Sequence, residues 1–179
     1  MKRILVVTAC AFLTLPAFAE TASEKLGVNS ALGIAPTTPD FIAEAAAGNL
    51  FEIRSSELAE QQGDAATKSF AEKMVADHEK LGADLKELIQ SKKIDVTVPG
   101  EPTSKQQSEL TKLKSLRSAD FDKEYRDDQY SAHKDTVSLF QRYAKSGDNA
   151  DLKQWAEKVG PLLEHHLQMA RELDKQASR

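Results

Sequence analysis

Four side chains set the chemistry open to this sequence: His78, His133, His166 and Glu52. Imidazole nitrogens and one carboxylate form a donor set for a transition metal such as zinc, copper, nickel or iron at neutral pH. Each histidine lies on or beside an apolar line with helical spacing. His78 falls between Met74 and Leu81, on a line with Phe70, Leu85 and Leu88; His133 lies beside Tyr130, Val137 and Phe140, near Arg126 and Gln129. His166 continues the stripe Leu152, Trp155, Val159 and Leu162 or Leu163. Burying such a ring without a hydrogen-bond partner costs about 1 to 3 kcal/mol. The arrangement expected is therefore convergence of the three rings in an interior, with Glu52 nearby. His165 should point away from His166 to the surface, and Asp77 is turned about 100° from His78 on the same helix.

Four long helices are expected to carry these residues. The first runs from about Pro39 to about Gln61, with Thr38 as N-cap, Pro39 in the first turn and Asp40 as a first-turn acid. Its apolar residues surround much of the circumference, and Ala45, Gly48, Glu52, Ser55 and Ala59 form a small-residue track with one carboxylate in it. Gly63 as terminator and Asp64 as N-cap make a tight turn into an antiparallel second helix, which ends near Lys92 and Lys93. Ile94, Val96 and Val98 alternate with polar residues, then Pro99-Gly100-Glu101-Pro102 forbids regular structure, so an extended crossover follows.

Ser104 with Gln107 resembles a capping box for the third helix. Ser118-Ala119-Asp120 offers a second cap, so this helix is expected to break there before continuing to Gly147. Asp148 or Asn149 caps the fourth helix, which Pro161 should kink about one turn before His166. Trp155 is expected in the core. At about 1.5 Å rise per residue, Glu52 and the three histidines come within a turn or two of one height. The fold class expected is all-α: a four-helix bundle over residues 38–176, with a crossover between helices 2 and 3 and a kinked helix 4.

Met1–Ala19 has the parts of a secretory signal: Lys2 and Arg3, an apolar run from Ile4 to Leu15, and Ala17-Phe18-Ala19 as a small-x-small cleavage site. Residues 20–37 read as a flexible lead-in. The sole cysteine, Cys10, lies in the signal, so a processed chain would have no disulfide, thiolate nucleophile or cysteine metal ligand. Removing the signal leaves 22 basic against 28 acidic residues, a net charge of −6, which disfavours nucleic acid as a partner. No other run approaches the ~20 apolar residues of a membrane span. There is no repeat, phosphate loop or nucleophile elbow, and no serine has a base and an orienting acid near it in sequence.

Phe41, Ala47-Gly48 and Glu52; Phe70-Ala71, Met74 and Asp77-His78; Phe121-Asp122, Tyr125 and His133; and Pro161-x-Leu163-x-x-His166-Leu167 together resemble a family of secreted bacterial proteins, domain of unknown function 4142. The resemblance covers about Asp40 to Leu173. It implies a ferritin-like four-helix bundle and an exported location. Trp155-Ala156 stands where the family has Phe-Ala, which keeps an aromatic at that position. Di-iron ferritin-like sites use Glu-x-x-His on two helices. Here Val75 and Leu163 occupy the glutamate positions, so iron storage and di-iron oxygen activation do not carry over.

Two functions fit these residues. One is an exported, periplasmic or secreted bundle without catalysis, acting as a stress-related or interaction protein whose histidines are neutral core residues. The other is a metal-binding or redox-linked bundle that uses His78, His133, His166 and Glu52. Either leaves a protein partner or a metal ion as the thing recognised. The exported product should begin at or near Glu20, which mass spectrometry of the secreted form measures; a lipid-modified start at Cys10 would contradict it.

Overall fold

The computed structural model describes residues 32–177; the expected signal peptide and most of the lead-in lie outside this range. The described residues form five α-helices and no strand: α1 (Thr38–Gln62), α2 (Ala65–Ser91), α3 (Ser104–Ser115), α4 (Ser118–Ser146) and α5 (Ala150–Ala177). The third expected helix is thus two helices. The largest helix interfaces are α1 with α2 and α4 with α5; α1 also packs on α4, α2 on α5, and α3 on α1 and α4. No helix among the described residues is long and apolar enough to cross a membrane.

Local chemistry sets the helix ends, sometimes one residue from the expected place. Thr37, not Thr38, caps α1 by accepting from the Asp40 amide. Thr38 is drawn elsewhere: its hydroxyl lies 2.5 Å from the Tyr143 hydroxyl and donates to Asp148 at 2.6 Å, tying α1 to the α4–α5 turn. Asp64 caps α2, and Asn149 Oδ1 accepts from the Leu152 amide at the start of α5. The capping box of α3 is Thr103 with Gln106, and Gln107 instead donates to the Pro102 carbonyl.

The break before α4 falls at Leu116 and Arg117, both extended. Arg117 donates its guanidinium to the carbonyls of Lys114 and Leu116, while Ser118 adopts φ 52° rather than serving as the cap. Gly63 and Gly147 end their helices as expected, yet with φ of −68° and −60°. Gly63 is required by close approach: a Cβ there would lie 2.6 Å from Thr67 and 2.7 Å from the Ala59 carbonyl.

The core forms two apolar clusters. One gathers Phe41, Leu81, Leu85, Phe140, Leu152 and Leu163; the other gathers Phe70, Met74, Leu113, Phe121, Tyr125 and Leu173. Trp155 belongs to the first only at its edge, half-buried against Phe140 and Phe41, so it is not the core residue expected. Ile94 and Val96 of the crossover pack on the same cluster.

Two stability measurements test these features. Helix α2 closes with the Ile94 amide on the Ile89 carbonyl and the Lys93 amide on the Gln90 carbonyl, a motif that places Lys93 at φ 52°. Lys93→Gly should stabilise the chain by about 0.5 to 1 kcal/mol, net of glycine's larger entropy loss, and raise the urea midpoint. An unchanged midpoint would mean the strain is absent.

Asp128 gives the second. Burial, then Glu124 and Glu109, push its carboxyl from 3.8 up to about 7, and its Oδ2 is buried without a hydrogen-bond partner among the described residues. Between those values the folded chain binds more protons than the unfolded chain, so stability should fall as pH rises through that window. Asp128→Asn removes this slope, and the variant's advantage should grow by on the order of 1 kcal/mol from pH 4 to pH 8, allowing for solvent screening. A difference independent of pH would show an ordinary carboxyl.

Candidate metal centre

The three histidines sit where the two apolar clusters meet. On α2, His78 lies between Met74 of one cluster and Leu81 of the other; on α4, His133 lies between Tyr125 and Val137; on α5, His166 lies between Leu163 and Ala170. Helical periodicity therefore places one ring from each helix in a polar layer across the interior. The residues are 3%, 1% and 0% exposed, in the same order. His165 is exposed.

Each ring is tied at one nitrogen and unpartnered at the other. His78 Nδ1 donates to Asn49 Oδ1 at 3.0 Å, His133 Nδ1 donates to the Gln129 carbonyl at 2.9 Å, and His166 Nε2 donates to Asp77 Oδ2 at 2.8 Å. In a neutral imidazole, a donor at one nitrogen leaves a lone pair at the other. The remaining nitrogens, His78 Nε2, His133 Nε2 and His166 Nδ1, have no hydrogen-bond partner among the described residues. One nitrogen of each ring lies within 4.8 Å of one nitrogen of both others, and the ring centroids form a near-equilateral triangle of 5.4, 5.5 and 5.6 Å.

Glu52 occupies the same layer, 2% exposed, with Oε1 3.7 Å from His133 Nδ1. That is the tied nitrogen of His133, and the carboxyl is not among the groups whose ligand atoms all lie within 4.8 Å of one another. Burial pushes its carboxyl up, against the pull of His133 and of the Gln129 side chain.

At His78 and His166 the electrostatics favour the neutral ring. Burial, then the neighbouring His133 and His166, hold His78 well below the usual histidine range. Burial also lowers His166 to about 4, although its hydrogen bond to Asp77 opposes the shift. Burial alone would raise Asp77, but hydrogen bonds from Lys73 and His166 outweigh it and keep that carboxyl below its ordinary value.

The residues that sequence reasoning missed are those that hold the rings: Asn49, Gln129 and Asp77. Asp77 is indeed turned from His78, but α5 packs against α2 there and brings His166 to it. Asn49 left a faint trace one helical turn after His78. A Cβ on Gly82 would lie 2.8 Å from Asn49 Nδ2, so that glycine leaves room for the amide that orients the ring.

No curated protein and no solved structure matches the chain. Residues 23–173 match the family described as Domain of unknown function (DUF4142). The matched span takes in α1 to α4, most of α5, and every residue of the polar layer. A match over that much of the sequence makes the chain a member of the DUF4142 family.

Proposed function

We propose that this is an exported metal-binding protein of ferritin-like architecture, in which α1, α2, α4 and α5 act as the four helices of the bundle. His78, His133 and His166 would be the ligands, with Glu52 as the adjoining carboxylate. The observation that carries the reading is the set of three buried, unpartnered nitrogens on rings that are each tied at the other nitrogen, in a cluster where one nitrogen of every ring comes within 4.8 Å of one of both others. A neutral core histidine has one donor and one acceptor nitrogen to satisfy, so three buried lone pairs without a partner cost an unmade hydrogen bond each, which a shared ligand would offset.

The donor chemistry fits zinc or copper. Both take imidazole nitrogen, and a ligand histidine usually donates its other N–H to a carboxylate or carbonyl, as His166 and His133 do here. With Zn–N bonds of about 2.0 to 2.1 Å, tetrahedral ligands lie roughly 3.3 Å apart, so the nitrogens would close in by an ångström or so on binding. A bound ion would supply a Lewis acid and, for copper, a redox centre. The absence of Glu-x-x-His pairs at Val75 and Leu163 favours a single ion over a bridged pair.

Metal titration of untagged, metal-free protein by calorimetry tests the reading. One zinc or copper ion per chain should bind. The double variant His78→Ala, His166→Ala should lose at least ~100-fold in affinity, and Asn49→Ala, which frees the His78 ring, about 10- to 100-fold. Equal binding by the double variant and the parent would return the histidines to core packing.

A further inference from the structure

A groove of about 700 Å³ runs between α1, α2 and the crossover. Leu50 and Ile53 line it from α1, Leu85 and Ile89 from α2, and Val96 and Val98 from the crossover. Phe140 and Trp155 add aromatic wall. The crossover is fastened there by an ion pair between Arg54 and Glu101 and by the Ile94 amide on the Ile89 carbonyl. Size and composition are those of a small-molecule site, because ligand pockets are mostly apolar, about 300 to 1,000 Å³, with a few placed polar groups.

The polar groups are unequally distributed. The lining residues that carry charge, Glu79 and Lys86, are exposed, whereas His78 is 3% exposed and Asn49 and Thr136 are half-buried. The sheltered part of the groove thus offers an amide, a hydroxyl and an imidazole, with no ionic partner. A buried charge there would lack compensation, but a carbonyl, a hydroxyl or the neutral N–H of an amide or arylamine could exchange hydrogen bonds with Asn49 and Thr136.

We propose that the groove binds a neutral, predominantly apolar small molecule carrying one hydrogen-bonding end group, with that group against Asn49 and Thr136 and the apolar body under the crossover. The proposal does not rest on metal binding, since the apolar walls belong to α1, α2 and the crossover and to the aromatic rings beneath.

Metal-free full-length protein titrated with N-phenyl-1-naphthylamine, a neutral apolar probe with one N–H, tests it. Trp155 is the only tryptophan in the chain and lines the groove, so a seated probe should brighten while quenching Trp155 by energy transfer. Saturable binding in the micromolar range is expected. The double variant Leu50→Phe, Ile53→Phe, which fills the groove from half-buried positions, should weaken it at least ~10-fold with helicity and unfolding midpoint retained. Thr136→Val should weaken it less. If the filling variant fails to fold, Val98→Asp on the exposed crossover replaces it and should weaken binding likewise. Absence of saturable quenching, or equal binding by the variants, overturns the proposal. A dimer that the filling variant dissociates, with no probe binding, assigns the groove to a second copy of the chain and overturns it too.

Discussion

The constraint on which this fold turns is a polar layer through the middle of a helical core. Six buried polar side chains, Glu52, Ser55, His78, Gln129, His133 and His166, separate two apolar clusters that would otherwise form one. Each cluster can pack by shape and area alone, whereas the layer between them needs directed bonds. The His133 ring leans on a carbonyl of its own helix, but His78 and His166 reach across to α1 and α2, so the rings also fix how the helices are rotated about their axes. A helix turned by one residue would carry its ring about 100° out of the layer.

This explains what could be read from the sequence. Helix existence, the turn at Gly63-Asp64 and the extended crossover follow from periodicity and from proline and glycine, all local properties. Placement of His78, His133 and His166 on inward faces is equally local. Errors of one residue arose where two adjacent groups could cap a helix and a distant partner decided between them, as Tyr143 and Asp148 did for Thr38. The break at Arg117 was visible as a second cap but not as a separate helix, because a guanidinium folded back on two carbonyls has no signature in spacing.

The same distinction separates the rings from the groups that hold them. A buried histidine announces itself by being polar on an apolar stripe. Asn49 and Asp77 lie on half-exposed positions where a polar residue is ordinary, and they acquire a role only when α1 meets α2 and α2 meets α5. Gln129 contributes a main-chain carbonyl, which any residue would offer. The side-chain identity at Gln129 matters for another contact, its amide donating to Ser55 within the layer.

The layer also has an edge. Asp77 Oδ2 accepts from buried His166 and, at 2.9 Å, from Lys73, whose side chain is 41% exposed. Lys73 is four residues before Asp77 and reads as half of an ordinary helix-surface pair, of the sort worth a few tenths of a kcal/mol. Here the pair continues inward, so the charge balance of a solvated lysine is transmitted to the tautomer of a ring in the interior. The boundary between surface and core in this protein consequently runs through a single carboxylate oxygen, and a substitution at Lys73 would act on the centre of the molecule.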